Sequence, residues 1–344
     1  MVMVTETLQN SYDVVVIGGG AAGLNGALML ARSRRSVLVV DAGQPRNAPA
    51  AGVHGLLGRE GMAPGDLLAR GRDEVRGYGG QVVAGTVESA ARHDAGFVVT
   101  LADGSRVRAR RLLVTTGLVD ELPEVPGLRE RWGREVVHCP YCHGYEVRDQ
   151  AIGVLATGPM SVHQALMFAQ LSDDVVYFVH ESPAPTGEAA ERLAALHIPV
   201  LAGTVTAAEV ADDRLVGLRL ADGTLVRRDA IAVATRMVAR AGFLGDLGLR
   251  PVPHPSGFGE HLPVDELGRA EVPGVWAAGN VTDLTAQVGA AAAAGALAGA
   301  QLNADLIEER VREAVAARAD GFSAADEARV AERVLGDRRH GLAG

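Results

Sequence analysis

Residues 12–41 read YDVVVIGGGAAGLNGALMLARSRRSVLVVD. The first six, YDVVVI, are an almost unbroken apolar run bounded by glycines, as in a strand buried on both faces of a parallel sheet. Gly18-Gly19-Gly20-Ala21-Ala22-Gly23 follows, then a helical pattern through Arg34, then a second buried strand over 36–40 that ends at Asp41. Strand, glycine turn, helix and strand make a right-handed βαβ unit. Gly18 suits the tight turn, and Gly20 leaves room for a pyrophosphate. Ala21 and Ala22 open a helix whose free N–H groups face that pyrophosphate, and Gly23 lets helix and strand close on each other. Asp41, eighteen positions beyond Gly23, is placed to accept hydrogen bonds from an adenosine ribose. A purely structural glycine turn is the alternative, and the strand before, the helix after and the acid beyond weigh against it.

Working outward, short strands are predicted at 82–84, 97–100 and 106–108, with a hairpin turn at Asp103-Gly104. Residues 112–114 return to a buried strand ending in Thr115-Thr116-Gly117. The order then recurs: a strand at 151–155, a turn at Ala156-Thr157-Gly158, a helix over 161–171 and a strand at 175–179. Short strands follow over 205–220 and 225–233, around a turn at Asp222-Gly223. Residues 12–117 and 152–235 thus look like one architecture used twice. A last strand over 275–278 leads into Gly279-Asn280, and Gln287-Val288 opens an Ala-rich helix. An amide at the end of that strand suits a polyol chain, and the helix start suits the anionic end of a reduced flavin. The tail, 306–344, reads as a charged helix broken at Gly321-Phe322, a solvated or dimer-contact surface. The predicted class is α/β, with two Rossmann-like, doubly wound, three-layer nucleotide-binding domains, one inserted in the other. Residues 1–117 with 244–344 form the discontinuous outer domain, and 118–243 the inserted one.

Composition narrows the function. The 344 residues carry 33 basic and 42 acidic side chains, a net charge of −9, which argues against nucleic acid as a partner. None of the basic residues is Lys, which removes Schiff-base catalysis and the Lys-dependent phosphate loop. No signal peptide is read at the N-terminus, and the Ala/Gly run over 289–300 is too short to span a bilayer. The expected location is the cytoplasm, with no membrane association.

The two cysteines form one motif, His138-Cys139-Pro140-Tyr141-Cys142-His143. Thiols at this spacing close a small disulfide ring and carry perturbed thiol pKa values. Zinc is the alternative for a Cys2His2 set, but the adjacent His138-Cys139 and Cys142-His143 pairs fit one tetrahedral ion poorly. No metal is expected. His143 is either a base beside the dithiol or a bystander on the surface or in the core.

Taken in order, the GGGAAG turn with Asp41, the Thr115-Thr116-Gly117 turn, the central CPYC and the WAAGNVTD segment with Gln287 resemble the low-molecular-weight thioredoxin reductases. These are FAD-dependent pyridine nucleotide-disulfide oxidoreductases, and the resemblance covers 12–305. It implies FAD on the outer domain, held by Gly18, Gly20, Ala21, Ala22, Gly23, Asp41, Thr116, Gly117, Gly279, Asn280, Gln287 and Val288. It also implies a homodimer in which Cys142 faces the flavin and Cys139 meets the substrate.

The departures from that family are informative. The second turn has Ala156 and Ser161 where the first has Gly18 and Gly23. The next strand ends in His180-Glu181, with no Arg to grip a 2′-phosphate, which counts against NADPH. His143 replaces the reductases' Asp after the second cysteine, and Asn280 replaces the acid at the flavin ribityl. CPYCH with a degraded second nucleotide site is similar to the dithiol oxidases of gliotoxin- and holomycin-type biosynthesis. The first expectation is therefore oxidation of a small-molecule dithiol through Cys139, Cys142 and FAD to oxygen, with His143 as base. The alternatives are an NADPH-dependent reductase acting on a thioredoxin-like protein, and a non-catalytic flavin-binding regulator, which the retained CxxC disfavours.

Overall fold

The computed structural model describes residues 8–319 and 324–335. The Gly321-Phe322 break lies outside them. Residues up to Ala300 make one compact unit, and those from Gln301 onward another.

The first sheet has seven strands. Its parallel part orders Gln81–Ala84, Val37–Asp41, Ser11–Ile17 and Arg106–Val114, and Val275–Ala277 adds itself beyond Arg106–Val114. The C-terminal strand thus completes a sheet begun almost 270 residues earlier, at Ser11. The same edge of Arg106–Val114 also carries the antiparallel strand Gly96–Leu101, and beyond that Val87–His93.

Here the structure corrects a sequence expectation. Residues 106–108 and 112–114, expected as two strands, are one. Val107 and Ala109 are buried and Arg106 and Arg108 exposed, as on a one-sided antiparallel strand, whereas 111–114 are buried throughout. The alternation changes because the strand runs from an antiparallel edge into a two-faced parallel core.

The second sheet is parallel throughout, in the order Val200–Leu201, Val175–Phe178, Ile152–Leu155, Ala230–Val233 and Val136–Val137. A separate three-stranded antiparallel sheet, Val205–Ala211, Arg214–Leu220 and Leu225–Arg227, lies beside it in sequence. Several further strands escape sequence reading, two of them at the chain crossing. Leu118–Glu121 and Arg236–Ala239 pair antiparallel where the chain passes between the two halves, Asp120 opposite Met237. Both are four residues long and mix charge with apolar residues, so neither shows a clear period. The helix Pro64–Gly77 was also not foreseen; only Pro64, Leu68 and Val75 are buried along it.

Small residues set the closest approach in the fold. The helix Ala21–Arg32 and the first turns of the helix Val288–Ala319 touch backbone to backbone. A Cβ on Gly295 would overlap the Ala22 carbonyl, and one on Gly299 would come within 2.6 Å of the Gly26 oxygen. The Ala/Gly run over 289–300 therefore serves this contact, and among the described residues no helix is long and apolar enough to cross a membrane. Gly295→Val should push the two helices apart. We expect a loss of about 1–3 kcal/mol, read as a lower midpoint in urea, with weaker flavin retention because Ala22 belongs to the glycine turn.

Candidate active site

The glycine turn is shaped by what lies beneath it. Gly18 has φ +107°, and a Cβ there would overlap the Thr115 carbonyl. Thr115 Oγ1 donates to the Gly18 carbonyl at 2.8 Å and to that of Ile17 at 3.1 Å, joining the ends of two neighbouring strands. A Cβ on Gly23 would overlap the Gly18 oxygen, so only glycine allows this helix to start so close to its strand. Gly20 differs: a Cβ there would meet no atom within 4 Å. The open side of Gly20 faces a cleft of about 980 Å³. Asp41 Oδ1 accepts from the Gly19 and Gly43 amides, each at 3.2 Å, which ties the turn to the end of the next strand.

Along that cleft lie Gly18, Gly20, Ala21, Ala22, Asp41, Thr116 and Gly117, then Gly279, Asn280, Gln287 and Val288, and finally Cys139, Cys142 and His143. Of the residues expected to hold the flavin or form the dithiol centre, only Gly23 is off its wall, beneath the turn. Asn280 holds the loop that follows it. Its Nδ2 donates to the carbonyls of Ala286 at 2.9 Å, Asp283 at 3.0 Å and Leu284 at 3.5 Å. A carboxylate at 280 would face three carbonyl oxygens with nothing to donate, a physical reason for the amide.

Cys139 precedes the single helical turn Pro140–His143, and the amides of Cys142 and His143 bond back to its carbonyl at 3.2 and 3.1 Å. Both cysteines are free thiols, partly buried. Cys139 is drawn down to about 6, chiefly by the hydrogen bond from the Cys142 thiol and then, against burial, by the Tyr141 and Cys142 amides and the charge of Arg46. Cys142 is pushed up by the same hydrogen bond, by burial and by its neighbour's negative charge. The reduced pair therefore holds one proton, on Cys142, donated toward a Cys139 thiolate. Burial lowers His143 below the ordinary imidazole value, helped by His54 and opposed by Glu146. Its Nε2 is buried and has no hydrogen-bond partner. His138 turns away, its Nδ1 3.2 Å from the Val233 carbonyl. Among the described residues no group of three or more His, Cys, Asp or Glu is arranged to hold a metal ion.

Sequence reading missed the charged centre of the site. Arg46 makes a two-pronged pair with Asp120, Nε to Oδ2 and Nη2 to Oδ1 both at 2.7 Å, and Nη1 reaches the Leu284 carbonyl at 3.4 Å. Thr235 Oγ1 donates to Asp120 Oδ1 at 2.6 Å. Burial alone would raise the Asp120 carboxyl, but the hydrogen bonds and charge of Arg46, with Thr235, hold it below the usual carboxylate range. Gln164 was missed as well. Its Nε2 donates to the His138 carbonyl at 2.7 Å, and its Oε1 is buried without a partner. These residues are scattered over 190 positions of sequence and carry no spacing by which to find them.

The second turn is closed on itself. Ser161 is fully buried, and its hydroxyl accepts from the Thr157 amide at 3.0 Å. Thr157 Oγ1 donates to the Ala234 carbonyl at 2.9 Å, and Pro159 has no N–H to offer. Two of the donors that could meet a pyrophosphate, those of residues 157 and 159, are thus used or missing. His180 Nδ1 accepts from the Val205 amide at 3.1 Å, and Glu181 is exposed.

A family model for pyridine nucleotide-disulphide oxidoreductases matches residues 12–321. The chain belongs to that family. Among its relatives, thioredoxin reductase tcpT of Claviceps purpurea is 32% identical over 291 residues, covering 79% of this chain and 87% of the relative. The crystal structure of HlmI superposes with a TM-score of 0.85 at 47% identity, over 92% of this chain and 99% of that one. An oxidoreductase from Agrobacterium tumefaciens superposes with a TM-score of 0.80 at 34% identity, over 86% and 99%. The chain is thus an FAD-dependent disulfide oxidoreductase with two Rossmann-type domains. The cleft fits the flavin: the space over Gly20 suits the pyrophosphate, and the other end of the cleft reaches the dithiol. Gly20→Ala should therefore fold normally, since its Cβ meets no protein atom within 4 Å, yet bind FAD at least about tenfold more weakly because it fills the phosphate seat. Flavin content after reconstitution, alongside the melting midpoint of the apoprotein, checks this.

Proposed function

We propose that this oxidoreductase oxidises a small-molecule dithiol to a disulfide through Cys139, Cys142 and FAD, with oxygen as acceptor. The observation that carries this reading is the self-satisfied second turn. Ser161 occupies the Thr157 amide, Pro159 removes another, and no arginine follows the next strand, so NADPH has a poor seat. Electrons must then enter from the thiol side. That is also where His143 presents a buried ring nitrogen without a partner.

In this reading, residues 1–117 with 244–344 hold FAD and 118–243 carry the dithiol. Gly18, Gly20, Ala21, Ala22 and Gly23 seat the pyrophosphate, with Asp41 at the ribose. Thr116, Gly117, Gly279 and Asn280 line the middle of the cofactor, and Gln287 and Val288 its pyrimidine end. His143 takes a proton from a substrate thiol, and the thiolate attacks Cys139 Sγ. The Cys139–Cys142 bond breaks, and Cys142 takes up a proton. The second substrate thiolate attacks the substrate sulfur of the mixed disulfide and releases Cys139 as thiolate, a good leaving group at its lowered pKa. The product is a substrate disulfide, and the protein keeps two electrons in its reduced pair. Cys139 Sγ can then accept the proton of Cys142, freeing the second sulfur to donate electrons. When bound, FAD supplies the two-electron acceptor and, through reoxidation by oxygen, the route to peroxide. The same reading includes a homodimer, as the family resemblance implies, and a cytoplasmic setting, since two cysteines at redox spacing are not a secreted disulfide framework.

Mixed anaerobically with the holoenzyme, a small dithiol should bleach the flavin, and excess NADPH or NADH should do so slowly or not at all. Rapid stoichiometric bleaching by either nicotinamide, with turnover of thioredoxin, would overturn the oxidase reading in favour of a reductase. The pH dependence tests the base. Because its pKa is lowered, His143 stays neutral below pH 6.5, so the acid limb of dithiol-driven bleaching should fall below 6.5. The reduced pair adds a second limb near 6, where Cys139 takes up a proton. In His143→Ala only the limb of the cysteine pair should remain, and the rate should drop about 10²–10⁴-fold.

A further inference from the structure

The helix Met160–Phe168 opens at the closed second turn, so it lends the cleft its side rather than its start. Met160, His163, Gln164 and Met167 all line the cleft that holds the dithiol. Their spacing, i, i+3, i+4 and i+7, is one continuous face of a helix. The turn Pro140–His143 packs against this helix, and Tyr141 of that turn, 73% exposed, lines the same cleft.

One atom on this face is left unsatisfied. Gln164 is 5% exposed, its Nε2 donates to the His138 carbonyl at 2.7 Å, and its Oε1 is buried with no partner. The carboxamide cannot turn over, because that would set its oxygen against the His138 carbonyl oxygen. A buried acceptor without a donor is destabilising until something donates to it. On the wall of a cleft, a ligand is the natural source of that donor. His138 immediately precedes Cys139, the sulfur that the substrate attacks, so a donor held at Gln164 ties the substrate next to its point of reaction. The rest of the face is pliable. Met160 and Met167 are unbranched thioethers that repack around irregular shapes. The face carries no acid and no arginine, and Arg46 and Asp120, which also line the cleft, are bound to each other. A charged substrate finds no free counter-charge among these residues.

We propose that this helix face seats the substrate, an uncharged dithiol with an N–H a few bonds from its sulfur, and that Gln164 Oε1 accepts the hydrogen bond from that N–H. The role rests on the dithiol-oxidising reading above. Two dithiols separate recognition from packing: N,N′-bis(mercaptoacetyl)hydrazine, whose amide nitrogens carry hydrogen, and its N,N′-dimethyl analogue, whose amide nitrogens do not. Each is mixed anaerobically with the holoenzyme in stopped flow, and the second-order rate of flavin bleaching is measured. Gln164→Met keeps the length of the side chain and loses the acceptor. In this variant the ratio of the N–H rate to the N–methyl rate should fall about tenfold from that of the natural protein, the worth of one hydrogen bond. Loss of the contact with His138 slows both dithiols alike and leaves the ratio where it was. Should Gln164→Met fail to retain flavin, Gln164→Asn, whose shorter carboxamide cannot span the same gap, carries the same comparison. A ratio within twofold of the natural one would overturn the subsite and leave Gln164 as a strut for the His138 peptide. Bleaching of the natural protein by dithiothreitol but by neither hydrazide would also overturn it. If dithiothreitol fails too, the dithiol-oxidising reading itself falls, and the subsite with it.

Discussion

The site is organised around the ion pair between Arg46 and Asp120. Asp120 is 4% exposed at its side chain, and a carboxylate buried that deeply without a partner is destabilising by several kcal/mol. Arg46 resolves this with two parallel hydrogen bonds, the geometry in which guanidinium and carboxylate bind most strongly. The pair fixes more than charge. Asp120 lies on the strand leaving the first half, opposite Met237 on the strand returning from the second. Arg46 comes from the loop after Asp41 and also reaches the Leu284 carbonyl, in the loop that Asn280 holds. One guanidinium thereby holds together the chain crossing and the flavin-side loop, and its charge acts on both thiols.

The two halves show how one architecture diverges. In the first, Gly18 and Gly23 bring helix and strand into backbone contact, and the amides at the helix start stay free above Gly20. In the second, a serine hydroxyl takes over where a glycine would stand and consumes an amide of the turn. Each half keeps its buried parallel strands. Only the electrostatic surface at the tip of the sheet changes, from a phosphate cradle to a closed turn. A few side chains suffice because a nucleotide site on this fold is built largely from unpaired backbone N–H groups.

The dithiol combines features that a redox centre needs together. Its sulfurs share one proton, so that one is a good leaving group and the other a reservoir for a proton. The neighbouring His143 has its pKa lowered by burial, and its Nε2 has no hydrogen-bond partner. The charge of Glu146 opposes part of that lowering, and Glu146 itself lies 3.5 Å from His54 of a distant loop.

Much of the fold was legible in residues 12–41, because a strand buried on both faces must be apolar throughout and a helix packed against it needs glycine at fixed offsets. The repeat of that pattern at 151–179 and the dithiol at 139–142 were equally plain, since their spacing is local. The split of Arg106–Val114 into two strands was an error of the same local method: its period changes where its neighbours change, and neighbours are not a property of sequence order. The crossing strands Leu118–Glu121 and Arg236–Ala239 were too short to show a period. Arg46, Asp120, Thr235 and Gln164 were invisible for a further reason. Their roles rest on contacts closed over long stretches of chain, from the 26 positions between residues 138 and 164 to the 238 between 46 and 284. Sequence alone determined which backbone could cradle a nucleotide and which sulfurs could exchange electrons. Only the tertiary structure decided which charges stand beside them, because a charge acts through distance in space, and that distance is set by the packing of the two sheets and the loops between them.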